Sequence, residues 1–325
     1  MNERFRRILH RSKTLIGLIA ALALLIAVFG IANPRFVTAR NLIDVLRQMS
    51  NIAIIAIGMT WVIISGEIDL SVGSLVAATS AVFGHLVIKL GVPILPSFLV
   101  ALAVGIVNGL FIGVLRNRFR IPSFITTLGL LSIWRGFAYL VTDGYPISPF
   151  PSSFTFWGAG RIIGIPVAVY VMLFLYAIGV YLLNWTRLGR YVYATGSNAE
   201  AAILSGVPVA GIRTAAFVLT GMMATVVSIL VSSRLMSATP VIGQTWELDV
   251  IAAVIIGGCN LSGGKGSLFN TFVGAALIAT LRNGMVMLGV PPYVQFVVQG
   301  SIIIVAVFLS NVELTKARPA AVSDV

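Results

Sequence analysis

TRLGRYVYATGSNAEAAILSGVPVAGIR, residues 186–213, lies between two long apolar stretches and decides how the chain is read. Its neighbours belong in a bilayer, so a segment this polar, bearing Arg187, Arg190 and Arg213, belongs in water. Within it, NAEAAILSGV (198–207) has the marks of a short helix. Asn198 is a good N-cap, Ala199, Ala201 and Ala202 are strong helix formers, and Gly206 is a natural C-terminal stop. A turn between two spans needs only a handful of residues. This segment is several times longer, which favours a helix held out in water to dock into a soluble partner over a plain re-entry turn.

Composition agrees with the membrane setting. Of 325 residues, 58% are hydrophobic and only 10% charged, with a mean hydropathy of +1.01. Soluble domains carry about 25% charged residues, so the chain is expected to be an all-α integral membrane protein with no room for a second, soluble domain. The net charge of +12 is no sign of nucleic-acid binding, because the basic residues lie at span ends and not along one stripe. A lone cysteine, Cys259, excludes an internal disulfide framework and a cysteine-built metal site. His10 and His85 are too few and too far apart for a metal cluster or a hydrolytic triad. No cofactor is called for.

A spanning helix needs about 20 apolar residues. Ten runs qualify as candidates: 14–32, 41–65, 70–88, 94–115, 121–141, 165–183, 212–232, 249–260, 268–288 and 293–311, the eighth short for a straight span. The first follows a basic head, MNERFRRILHRSK, but NPRFVTAR after it lacks a small-x-small cleavage site, so it reads as a retained span and not a signal peptide. With the N-terminus inside, Arg4, Arg6, Arg7, Arg11, Lys13, Arg116, Arg118, Arg120, Arg187, Arg190, Arg213, Lys265, Lys316 and Arg318 are cytoplasmic. Arg35, Arg40, Arg47, Lys89, Arg161 and Arg234 are outside, a ratio of 14 to 6 that puts both termini in the cytoplasm. The organisation is then a basic N-terminal segment 1–13, a transmembrane unit 14–311 including the cytoplasmic loop 186–213, and a C-terminal tail 312–325.

The chain also repeats itself. GEIDLSVGS (66–74) is echoed by WELDVIAAV (246–254), matching Glu67 to Glu247 and Asp69 to Asp249. LRN at 115–117 returns at 281–283. Spans two to five therefore resemble spans seven to ten. Five spans separate the copies, which gives them opposite orientation, an inverted repeat of the kind transporters use around a midplane pathway.

Carboxylates near spans are functional suspects, since one at a span centre costs roughly 2.5–3.5 kcal/mol on insertion scales. Asp69 and Asp249 each stand directly before a helical run, where capping is the favoured reading. Glu67 and Glu247, two residues earlier, have Arg135 or Arg282 as possible partners. Asn51, Ser65, Asn108, Asn283, Gln295 and Gln299 offer neutral donors and acceptors within spans, and Trp61 and Trp246 offer aromatic faces for a polyol. For any one of these amides and hydroxyls, helix–helix hydrogen bonding is the competing role. Candidate pathway residues are thus Asn51, Ser65, Glu67, Asp69, Asn108, Trp246, Glu247, Asp249, Gln295 and Gln299. GGCNLSGGKGS (257–267) is not a phosphate loop: Cys259 occupies the place of its first glycine, and Gly266 follows Lys265 where Ser or Thr is required. It reads as a glycine-rich turn that lets helices eight and nine pack closely.

GMTWVIISGEIDLSVGS (58–74), TRLGRYVYATGSNAEAAILSGV (186–207) and ELDVIAAVIIGG with LSGGKGS (247–267) resemble, in order, blocks of the membrane permeases of ribose-type ABC sugar importers. The likeness extends from about Pro34 to Asn311. Locally, Glu67 stands where members of that family often have glycine. The resemblance implies a non-enzymatic transport subunit in the bacterial inner membrane. It also implies an ATP-binding partner subunit, a periplasmic sugar-binding protein, and a second permease, either an identical copy or a paralogue. Asn198, Glu200, Ala201, Ala202 and Gly206, with Arg190, would couple to the ATPase. The other classes are an ion-coupled secondary carrier, which has no use for a docking helix, and a membrane enzyme, which lacks its nucleophile. A nucleoside or branched-chain amino acid is the alternative cargo.

Overall fold

Each of the ten apolar runs forms a helix. The computed structural model describes the backbone of residues 3–317 and the side chains of 15–308, so the side chains of the basic head 1–13 and of the tail 312–325 lie outside the described residues. The helices are α1 (Glu3–Ala32), α2 (Ala39–Ile64), α3 (Val72–Gly84), α4 (Ile94–Arg118), α5 (Ser123–Thr142), α6 (Thr155–Ala159), α7 (Val167–Trp185), α8 (Arg187–Ser197), α9 (Ala199–Leu204), α10 (Val209–Leu235), α11 (Trp246–Ile256), α12 (Leu268–Met287) and α13 (Pro292–Ala317). A two-stranded hairpin, Arg161–Ile162 with Ile165–Pro166, precedes α7. Among the described residues, seven helices are long and apolar enough to cross a bilayer: the stretches Leu15–Ala32, Ala39–Ile64, Val72–Lys89, Ile94–Arg118, Ser123–Thr142, Val167–Trp185 and Val209–Leu235. At 1.5 Å per residue, the 11 residues of α11 reach about half the thickness of a hydrocarbon core.

Helix α2 is buried on every side from Met49 to Ser65. A helix that is apolar all round belongs at the centre of a bundle, and α2 packs against α7, α10, α11 and α12. Lipid tails give apolar helices no reason to associate, so close backbone approach has to do it. Gly105, Gly109 and Gly113 form a stripe along α4 that meets Gly221, Val218 and Thr214 of α10; a Cβ on Gly105 would sit 2.5 Å from the Gly221 carbonyl oxygen. Gly58 of α2 lies on the backbone of Thr220 in the same way. Polar side chains between helices find partners, as in Ser80 with Ser232 at 2.7 Å and Thr60 with Thr271 at 3.1 Å.

The packing has a pattern. Helix α2 lies on α12 and α10 on α4; α3 contacts α4 and α5 while α11 contacts α12 and α13; α3 touches α10 and α11 touches α2. Exchanging α2, α3, α4 and α5 for α10, α11, α12 and α13 leaves this set of contacts unchanged.

Candidate functional site

The polar segment 186–213 is more ordered than its composition suggests. Thr186 caps α8, Asn198 ends it and caps α9 by accepting from the Ala201 N–H at 3.0 Å, and Gly206 closes α9 at a φ of +79°. Two bonds complete that stop, Gly206 N–H to Ile203 O and Val207 N–H to Ala202 O, both 2.9 Å. The expected helix is therefore present with both caps where the sequence placed them. Its faces need restating: Ala202 is buried and packs inward, whereas Glu200, Ala201 and Gly206 are exposed, with Ile203 at 59% and Leu204 at 89%. The exposed apolar surface of α9 is thus carried by Ile203 and Leu204 and not by Ala202.

Helix α8 went unrecognised in the sequence, where the glycines 189 and 196 look like breakers. Both are required by packing. A Cβ on Gly189 would strike the Leu183 backbone, and one on Gly196 would strike the Ile64 carbonyl at the end of α2. Gly264 donates its N–H to that same Ile64 oxygen at 2.8 Å, and the Tyr193 hydroxyl donates to Gly266 O at 2.9 Å. The glycine-rich turn does let α11 and α12 approach, since a Cβ on Gly257 would sit 2.8 Å from Thr271. It also carries the floor on which α8 rests.

Beside that floor, α2 ends in the same kind of stop as α9, with Gly66 at φ +80° and Glu67 N–H bonded to Val62 O at 3.1 Å. Glu67 is nearly fully buried. Arg116 Nε, at the end of α4, donates to its Oε1 at 2.8 Å, and Arg213 Nε, in the first turn of α10, stands 3.0 Å from the same oxygen as an ion pair. Arg135 and Arg282, the partners the sequence suggested for Glu67 or Glu247, do not reach Glu67; Arg135 lies close enough to Glu247 for the two charges to attract. Arg135 donates to the carbonyls of Pro240 and Ile242 at 2.5 and 3.0 Å.

Asp69 accepts from Ser71 N–H at 2.9 Å and Ser71 Oγ at 2.6 Å; Ser71, not Asp69, holds the N-cap position of α3, so Asp69 braces the residue before the helix and does not cap the helix itself. The Asn108 amide reaches Ser71 Oγ at 3.4 Å, and Trp134 Nε1 donates to Asn108 Oδ1 at 2.6 Å. This buried chain ties α3, α4 and α5 together.

Asp249 does not cap. Helix α11 begins at Trp246, four residues earlier than the capping reading needs, and this puts Asp249 inside the first turn. Its two oxygens are held by Arg282 in an ion pair and by Gln299 Nε2 at 2.6 Å. These three residues line a cavity of about 100 Å³ between α11, α12 and α13, with Gln295 at its rim bonded to Val290 O at 2.8 Å. Of the other candidates, Ser65 bonds to Val62 O at the end of α2, Asn283 accepts from Asn41 at 2.9 Å, and Glu247 lies against Gly73. Asn51 and Trp61 are buried in α2, and Trp246 is half-buried at the start of α11. Trp61 is therefore packed within the bundle.

A family model described as the permease component of branched-chain amino acid transport systems matches residues 41–307. The chain belongs to this permease family. Among curated relatives, the ribose import permease protein RbsC of Haemophilus influenzae is 39% identical over 300 residues, covering 91% of this chain and 93% of that one. RbsC of Escherichia coli K12 is 41% identical over 295 residues, covering 90% and 92%. The xylose transport system permease protein XylH of Haemophilus influenzae is 32% identical, covering 90% and 95%. No solved structure matches the chain.

In the permease, the guanidiniums that the sequence could have assigned are those of the repeated LRN. Arg116 takes Glu67 of the first acidic motif and Arg282 takes Asp249 of the second. The repeat itself was the available signal, because motifs duplicated together have reason to touch.

Proposed function

We propose that this permease is the membrane subunit of an ATP-driven importer for a small neutral monosaccharide in the bacterial inner membrane. Nine-tenths of its length aligns with ribose import permeases at about 40% identity, and that observation carries the reading. The family description names branched-chain amino acids, but the relatives named for xylose and ribose favour a sugar. The chain would cross the membrane ten times with both termini in the cytoplasm, α11 crossing jointly with the turns around it. Helices α2–α5 and α10–α13 would be the two inverted copies, a reading supported by the exchange of helix contacts described above. A second permease, identical or paralogous, would complete the pathway.

Helix α9 supports the coupling half of the proposal. It is capped at both ends, fixed through α8 to the end of α2, and presents Glu200, Ala201, Ile203, Leu204 and Gly206 outward. A separate ATPase would grip it, and a periplasmic protein would deliver the sugar to the other side. Asp249, Arg282, Gln295 and Gln299 would face the delivery side, since α11 begins and α12 ends there on this topology. Purified permease in liposomes should move nothing alone under any proton or sodium gradient. Uptake should require the ATPase, ATP and the loaded binding protein together. Ion-driven uptake by the lone chain would overturn the reading in favour of a secondary carrier.

A further inference from the structure

A second polar concavity lies apart from the coupling helix and from the Asp249 cavity. It has a volume of about 550 Å³ and is lined by Leu15, Leu183, Asn184, Trp185, Arg190, Tyr193, Ser267, Phe269 and Asn270. These residues come from four helices, α1, α7, α8 and α12. Leu15 opens the apolar stretch of α1, Trp185 ends α7, and Phe269 and Asn270 begin α12. The groove therefore sits at the level where spans leave the hydrocarbon core. Trp185 is 67% exposed and stacks on Tyr181, with ring centroids 6.1 Å apart. Exposed Trp and Tyr side chains at span ends mark the headgroup layer.

The lining divides by chemistry. Leu15, Trp185 and Phe269 form apolar walls, with Phe269 58% exposed, and the buried Leu183 lies at the back of the groove. Arg190, Asn184, Asn270 and Ser267 form a polar end. Among the described residues, no carboxylate lines the groove and Arg190 makes no ion pair. Its side chain is exposed on α8, one helix before α9, and it faces α7 and α12 rather than the docking surface. We propose that this groove binds one anionic phospholipid, its headgroup phosphate on Arg190 and the amides, its chains along Leu15, Trp185 and Phe269. The volume lies within the range of small-molecule sites, and a phosphate suits a guanidinium with no competing carboxylate. On the topology proposed above the lipid is in the cytoplasmic leaflet, but the binding itself does not depend on that topology. Because the same α8 rests on the end of α2, the lipid would brace the base of the coupling segment.

The probe is phosphatidylglycerol, measured against phosphatidylcholine. The full-length permease is placed in nanodiscs containing both lipids, and the lipids retained on mild extraction are quantified by mass spectrometry. Wild type should retain phosphatidylglycerol about fivefold over its bulk proportion, the factor one basic side chain near an anionic surface contributes. Arg190→Gln should bring that ratio to bulk, Arg190→Lys should keep most of it, and Arg118→Gln, on an exposed arginine outside the groove, should leave it as in wild type. A second measurement needs no Arg190 variant: brominated phosphatidylglycerol should quench the Trp185 fluorescence, obtained as wild type minus Trp185→Phe, more than brominated phosphatidylcholine does. Three results would overturn the proposal. They are no enrichment in wild type, equal loss in the Arg190 and Arg118 variants, and release of the lipid when the ATPase is bound, which would make the groove part of the protein interface. None depends on transport, so failure here is separable from failure of the importer reading.

Discussion

Replacing Glu67 with glutamine is the sharpest test of how the coupling segment is tied to the bundle. The carboxylate is 4% exposed and serves two guanidiniums, Arg116 at 26% and Arg213 at 17% exposure. At an effective dielectric of 20, each opposite pair at roughly 4 Å between charge centres is worth about 4 kcal/mol. Both Nε atoms reach the same oxygen, so the arginines are within about 6 Å of each other, and their repulsion at that distance is about 3 kcal/mol. Desolvation of the three ions removes much of the net gain, so the intact triad contributes little. Taking away only the carboxylate is different: two cations then face each other without compensation. Breaking a buried pair costs about 3–5 kcal/mol; partial exposure lets both arginines swing toward water, which places this case near the lower figure. Glu67→Gln is therefore expected to lose about 2–3 kcal/mol in denaturant or thermal unfolding in detergent. Glu67→Gln combined with Arg116→Gln should recover part of that loss, since one of the opposing charges is gone. Equal stability of wild type and Glu67→Gln would refute the triad as a structural tie.

Four further outcomes follow from the geometry. Leu204→Asp, at an 89% exposed position on α9, should leave stability within about 0.5 kcal/mol while weakening ATPase capture in pull-down at least tenfold. Asp69→Asn keeps the acceptor for Ser71 and should stay within about 1 kcal/mol of wild type in thermal unfolding, whereas Asp69→Ala should lose about 1–2 kcal/mol; an inactive but fully stable Asn variant would argue for a proton site instead. Gly105→Ala, whose Cβ meets the Gly221 carbonyl at 2.5 Å, should destabilise by about 1–3 kcal/mol, while Gly136→Ala on an open face of α5 should be neutral or up to about 1 kcal/mol stabilising. Gln299→Leu strips one partner from Asp249 and should cost about 1–3 kcal/mol, read as a lowered midpoint of unfolding.

How much of this was legible beforehand depended on the kind of interaction. Helix positions came through because a span is read from composition, and composition is local. The caps at Asn198 and Gly206 came through for the same reason: a cap acts within four residues of itself. Helix α8 did not, because its glycines serve contacts with Leu183 and Ile64, which no local pattern reveals. Asp249 was misread because a carboxylate just before an apolar run and one in the first turn of a helix look alike in sequence, and a shift of four residues in the start of α11 separates them. Partner choice for Glu67 was out of reach of spacing alone. Arg213 lies far along the chain and meets Glu67 only because α10 packs on α4 and α2.

Read as the two copies of the proposed repeat, the two acidic motifs carry different jobs. Aligned residue for residue, GEIDLSV is largely extended, with α3 starting at Val72, whereas in WELDVIA the helix already starts at Trp246. The helix boundary has moved by six residues between copies. In the extended copy, the longer Glu67 side chain turns toward the ends of α4 and α10, and Asp69 is left to hold Ser71. In the helical copy, the same arginine of LRN finds the aspartate instead, with Gln299 on its other oxygen beside a small cavity. Only the first arrangement includes an arginine from the helix that follows α9. On the proposed topology, one motif thus fastens the bundle to the element an ATPase would grip, and its twin keeps a polar cluster at the opposite face, where solute would enter.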